Sequence, residues 1–152
     1  MLKQISRSKG GMPKFAVEGP VMLTASGIEG DGQRDLRHHG GPDKAVLVIA
    51  SELLDDLVAQ GFPVYPGALG ENLTVSGIDP RDLCAGQCFR IGDDAAIQLT
   101  TLREPCSQLL VYGRSIIKEL ARPGCVAGGF YARVISPGLL VPGLPVVAYT
   151  RE

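Results

Sequence analysis

One cysteine stands where chemistry is expected. Cys106 closes the run Arg103-Glu104-Pro105-Cys106, which follows a predicted strand and precedes a predicted helix. A thiolate is both a nucleophile and a soft-metal ligand. Near a helix N-terminus and beside an arginine, its ionised form is favoured. Pro105 fixes the local backbone and would aim the thiol. A buried helix-capping cysteine accounts for the same spacing. A second cluster is His38-His39-Gly40-Gly41-Pro42-Asp43-Lys44. Its two glycines allow positive φ, which can turn backbone N–H groups toward one point and make an anion-binding concavity. Lys44 and Arg37 add positive charge, although a tight turn with a solvated basic edge fits equally. In Gly67-Ala68-Leu69-Gly70-Glu71-Asn72, the Asn72 amide can serve a polar ligand or only its own turn.

Other patterns carry less. Gly30-Asp31-Gly32 begins like a dinucleotide fingerprint, but Asp35 replaces the third glycine and no helical pattern follows. No Walker loop, EF-hand loop, His-Glu-x-x-His or Gly-x-Ser-x-Gly motif is present. Cys84 and Cys88 lack the second close pair that a structural zinc site needs, so core thiols are expected there.

These residues must be held by short elements. The 152 residues suit a single domain over 1–152, and 45 % are apolar, enough for a core. Twenty glycines and eleven prolines exclude a coiled coil or plain bundle and fit many short strands and turns. Strands are expected over 1–6, 20–26, 45–49, 72–75, 87–91, 95–102, 130–135 and 146–149. The pair 87–91 and 95–102 forms a hairpin around Gly92, Asp93 and Asp94. Ser51 is expected to cap a short helix that turns Leu53, Leu54, Leu57 and Val58 inward and stops at Gly61 and Pro63. A second helix is expected within 107–121, with Leu109, Leu110, Ile116, Ile117 and Leu120 inward. The architecture predicted is mainly β with α insertions, a closed or nearly closed barrel.

A formal net charge of −1 argues against generic nucleic-acid wrapping. Lys3, Arg7 and Lys9 are followed by no apolar signal region. The longest uncharged run, 134–150, is interrupted by Pro137, Gly138, Pro142, Gly143 and Pro145, so no membrane span is expected. A cytoplasmic chain with reduced thiols is the expectation.

Taken in order, several segments resemble the MOSC domains, the molybdenum cofactor sulfurase C-terminal domain family. They are Gly27-Ile28-Glu29-Gly30-Asp31, His39-Gly40-Gly41-Pro42-Asp43-Lys44-Ala45-Val46, Gly70-Glu71-Asn72-Leu73-Thr74-Val75 and Gly77-Ile78-Asp79. Phe89-Arg90-Ile91-Gly92, Gln98-Leu99-Thr100, Arg103-Glu104-Pro105-Cys106, Gly128-Gly129-Phe130-Tyr131-Ala132-Arg133-Val134 and Gly138 continue the match, over about residues 5–147. Gln87 and Leu144 depart from it, standing where members often carry Asp after a glycine.

The resemblance implies a β-barrel-like MOSC fold and a role around the molybdenum cofactor, a metal held by a pyranopterin dithiolene with a phosphate tail. In molybdenum-binding members the cysteine matching Cys106 is the protein ligand to the metal. His39, Gly40, Gly41, Lys44, Asn72 and Arg103 are carried over as cofactor-pocket candidates; pyridoxal phosphate is not expected. Three functions follow from the resemblance. The first is a small molybdoenzyme that reduces N-hydroxylated small molecules by oxygen-atom transfer, with Cys106 catalytic and electrons supplied by a separate reductase. The second is a sulfur carrier using a Cys106 persulfide, and the third a non-catalytic cofactor-binding module. A homodimer is compatible with these residues but not specified by them.

Overall fold

The apolar run predicted as a buried strand is buried on both faces. In the computed structural model, which describes residues 1–32, 41–121 and 129–152, all five residues of Val46–Ala50 are inaccessible to solvent. Val46 and Val48 face one apolar cluster and Ile49 faces another, as the period-two geometry of a strand requires.

The strands, in chain order, are β1 (Leu2–Arg7), β2 (Phe15–Ala16), β3 (Val21–Thr24), β4 (Gly27–Ile28), β5 (Val46–Ala50), β6 (Leu73–Val75), β7 (Cys88–Ile91), β8 (Ala95–Leu102), β9 (Phe130–Ser136), β10 (Gly138–Leu140) and β11 (Val146–Tyr149). The helices are α1 (Ser51–Ala59) and α2 (Ile116–Leu120). Eight strands pair in the order β11-β7-β8-β9-β5-β6-β1-β2, and β10-β3-β4 form a small second sheet. β5 and β6 pair in parallel, and α1 lies in the connection between them. The other ladders are antiparallel.

The fold is mainly β and barrel-like, but the sheet is not closed by strand pairing. Its order runs out at β11 and β2. Near-closure comes instead from Leu2, whose N–H donates to Leu144 O (2.8 Å) and whose carbonyl accepts from Gly143 N (2.7 Å), drawing β1 to the turn before β11. The larger cluster, with Leu2, Ile5, Leu23, Leu73, Ile91, Ile97 and Leu99 among its members, is shared by strands of both sheets. The second cluster packs α1 and α2 with residues 64–69 and Leu109 against the Ile49 face of β5.

Several expectations need correction. Ser51 is the first residue of α1, not its cap; Ala50 holds that position without a side-chain bond. Val58 is exposed, because the buried stripe of α1 is Leu53, Leu54 and Leu57. The single helix expected within 107–121 is two pieces, a 3-10 segment Ser107–Tyr112 and the one-turn α2. Gly113 at φ 124° separates them, a conformation that no α-helix accommodates. Leu110 is consequently turned outward, and Ile117 is only partly buried. Cys88 is a core thiol, whereas Cys84 is exposed just before β7. The two- and three-residue strands β2, β4 and β10 are too short to carry a periodic signal, and sequence patterning misses them. Among the described residues, no helix is long and apolar enough to cross a membrane.

Asn72 knits the middle of this sheet together. Its main chain donates to Leu47 O (2.9 Å) and accepts from Ser6 N (2.8 Å). Its side-chain Oδ1 accepts from Leu47 N (3.1 Å), and Nδ2 donates to Ser6 O (3.2 Å) and to Asp31 Oδ2 (2.9 Å). Replacing Asn72 by Ala strands the buried Leu47 N–H and removes the side-chain link between β1 and β5, leaving only the main-chain bonds. Urea denaturation should show a loss of about 3 kcal/mol, in the range for orphaned buried polar groups. A loss under about 0.5 kcal/mol would mean that the amide clamps nothing.

Candidate functional site

Cys106 sits where the sheet hands over to the irregular half of the molecule. β8 ends at Leu102, and an extended run through Pro105 delivers Cys106 to the N-cap of the Ser107–Tyr112 segment at φ −117°, ψ 165°. Its carbonyl accepts from Leu109 N (3.1 Å). The side chain is partly exposed and packs on the second apolar cluster. The segment behind it is a six-residue 3-10 helix, so the α-helical dipole expected at the thiol is missing.

Arg103 is 3 % exposed. Its main-chain N–H donates to Gly129 O (2.9 Å), and its guanidinium donates through Nη1 to Leu69 O. The guanidinium Nε is buried with no partner among the described residues. Tyr131, from β9, lies within electrostatic range of both groups. Burial raises its phenol above the ordinary 10.0, the Arg103 charge opposes this and Cys106 reinforces it. Lys44 Nζ stands 5.0 Å from the Tyr131 ring centroid, a cation–π distance. The 3-10 turn Pro42–Lys44 is fixed to the sheet by Thr100 Oγ1, within hydrogen-bond distance of both Asp43 O and Tyr131 O, and by the Arg133–Asp43 ion pair (3.0 Å).

The structure therefore groups Cys106, Arg103 and Lys44 around Tyr131. Gly41 opens the turn at φ 84°, a value only glycine adopts readily, and among the described residues nothing lies within 4 Å of where a Cβ would project. His39 and Gly40 lie outside the described residues. Asn72 is held by other partners: its amide is engaged by Leu47, Ser6 and Asp31, which ties it into the framework of the sheet. Asp31, from the dismissed glycine fingerprint, accepts from Ser8 N (3.0 Å) and pairs with Lys14 (2.6 Å).

Sequence reasoning assigned no role to Glu71. Its carboxylate is wholly buried and accepts from Gly67 N (2.6 Å), Leu69 N (3.2 Å) and Thr74 Oγ1 (3.3 Å). The turn it serves needs glycine at 67, where φ is 94° and a Cβ would lie 2.2 Å from Lys14 O. Tyr112 reaches the same turn, donating from its hydroxyl to Ala68 O (2.7 Å), and burial pushes its phenol up to about 12. The available signal was a lone acid between two glycine-flanked apolar residues and a buried strand.

Comparison with known proteins places these residues in a family. A model of the MOSC domain matches residues 35–147. The uncharacterized protein YflK of Bacillus subtilis is 38 % identical over 146 residues, which cover 93 % of this chain and 64 % of that protein. The chain thus spans less than two thirds of that relative's length. A protein of Gibberella moniliformis named a reductase is 30 % identical over 133 residues, 83 % of this chain but 23 % of the longer protein. The crystal structure of YiiM from Geobacillus stearothermophilus superposes with a TM-score of 0.76 at 28 % identity, covering 99 % of this chain and 75 % of that one.

The Glu71 environment gives a pH signature. Burial is the largest influence and raises its carboxyl above the ordinary 4.5, against the opposing effects of the Gly67 and Thr74 hydrogen bonds and the Arg103 charge. Between 4.5 and that higher value the folded state holds a proton that the unfolded state has released, and the carboxyl oxygens accept from the turn in either form. Its contribution is complete below 4.5 and is lost as pH rises through the higher folded value. Denaturant midpoints measured from acid to alkaline pH should therefore fall for the wild type relative to Glu71→Gln. A constant difference across pH would contradict the assignment.

Proposed function

The chain belongs to the MOSC domain family, and from that premise we propose that it binds a molybdenum cofactor through Cys106 and reduces N-hydroxylated small molecules by oxygen-atom transfer. The observation that carries this reading is the partly exposed Cys106 thiol three residues after the buried Arg103, both within electrostatic range of Tyr131, with Lys44 over the ring.

The residues fit such a group. Among the described residues, no set of three His, Cys, Asp or Glu side chains could hold a bare ion. A metal arriving with two sulfurs of its own needs only one thiolate from the chain, and Cys106 offers it. The buried Arg103 Nε lacks an acceptor among the described residues, and a bound anionic group would supply one. Lys44 adds positive charge near the same place.

When bound, the cofactor supplies a metal able to accept the substrate oxygen and to be returned to its reduced form by two electrons. The chain's own part is to hold and orient. Cys106 ligates, Pro105 limits the directions the thiol can take, and Arg103 and Lys44 offset negative charge. Electrons come from a separate reductase. In the Gibberella protein named a reductase, the matching segment is 23 % of the length, which supports a redox role served by further protein.

Protein purified without oxygen from cells rich in the cofactor should carry molybdenum near one atom per chain and turn over hydroxylamino-purines with an added reductase. Cys106→Ala should lose metal and turnover together. Retained metal with full turnover in that variant would overturn the reading. A folded wild type without metal, carrying a persulfide on Cys106 after exposure to a sulfur donor, would replace it with sulfur transfer.

A further inference from the structure

We infer that Glu71 is the positioning residue for Cys106, acting through the peptide planes of the turn at residues 67–69. The inference rests on the reading of Cys106 as the functional thiol, but its test does not require the metal.

The argument is one of orientation. In this turn the Gly67 and Leu69 N–H groups point to the Glu71 carboxylate. The Ala68 and Leu69 carbonyls point the other way, accepting from the Tyr112 hydroxyl and the Arg103 guanidinium. A peptide plane fixes its N–H and the preceding carbonyl in opposite directions, so whatever holds the amides also aims the carbonyls. Ala68 O is on the same peptide plane as Leu69 N, which makes that coupling direct; Leu69 O shares its plane with Gly70 N, which donates to Gly67 O (3.1 Å), so Arg103 is reached one link further on, through the turn closed at Gly67. The two donors flank Cys106, Arg103 three residues before it and Tyr112 six residues after. Ala68 and Leu69 also belong to the apolar cluster on which the Cys106 side chain packs. One buried acid thus sets the Tyr112 flank of the thiol directly, and the Arg103 flank through the turn that it closes. Without Glu71 the two amides are buried and unpaired, the Ala68–Leu69 plane that holds Tyr112 is released, and the turn that carries the Arg103 acceptor keeps only its Gly70 N–Gly67 O bond.

The test is the alkylation rate of Cys106 by iodoacetamide in cofactor-free protein, with peptide mapping to separate it from Cys84, Cys88 and Cys125. Glu71→Ala should raise the rate about tenfold at a temperature where the protein stays folded. Glu71→Gln keeps one acceptor oxygen but faces an amide with its NH₂, so an increase of about threefold is expected, and this milder variant serves if Glu71→Ala does not fold. Leu23→Ala is the control. It removes a fully buried side chain from the other cluster, lowers stability, and should leave Cys106 within about twofold of wild type. Rates within twofold of wild type in the Glu71 variants, or an equal rise in Leu23→Ala, would overturn the inference. If alkylation responds as stated while molybdenum is absent from the wild type, positioning by Glu71 stands and the cofactor assignment falls.

Discussion

A carboxyl group removed from water has to find its hydrogen bonds in the chain, and a turn buried without regular structure has to find acceptors for its amides. At Glu71 the two requirements answer each other. Its oxygens take up Gly67 N, Leu69 N and Thr74 Oγ1 in a setting closed to solvent. The next residue, Asn72, serves the sheet instead, with its amide between Leu47, Ser6 and Asp31. Two adjacent polar residues therefore face different halves of the molecule, one fixing the irregular turn and the other the ladder. The Arg103 and Tyr112 bonds on either side of Cys106 end on that turn, whereas Lys44 is held from the sheet through Thr100 and Arg133.

β5 explains why the junction lies where it does. Its two faces feed separate apolar clusters, so the strand is the boundary between the sheet interior and the layer of α1 and the 107–120 region. The parallel β5–β6 pair needs a long connection, and that connection contains α1 and the Glu71 turn. The Lys14–Asp31 pair beside Asn72 lies in the same partly buried seam. A buried ion pair of this kind adds little net stability, but losing one partner is costly, so it restrains how residues 8–31 can pack.

Much of this was legible in the sequence and some was not, for physical reasons. β5, the β7–β8 hairpin, β9, β11 and the buried stripe Leu53–Leu54–Leu57 follow from alternation, apolar runs and turn residues, signals that act over a few positions. The helix expected within part of 107–121 is present as 116–120, and it extends no further back because Gly113 weighs as a modest penalty in a propensity argument, whereas its actual φ interrupts the helix outright. Cys106 stood out through its neighbours and its family resemblance. Asn72 was read as a pocket residue because its motif says nothing about Leu47, twenty-five positions away, or Ser6, sixty-six away. Glu71 was quoted without a role, since an acid beside glycines reads as solvated until burial is known.

Amide hydrogen exchange at Gly67 and Leu69 tests the central claim most directly. If the buried Glu71 carboxylate holds this turn, both amides should exchange only with global unfolding, as slowly as Leu47 N in the sheet. Exchange at the rate of the exposed Asp93–Asp94 turn would mean that the carboxylate does not hold them, and the arrangement described around Cys106 would lose its anchor.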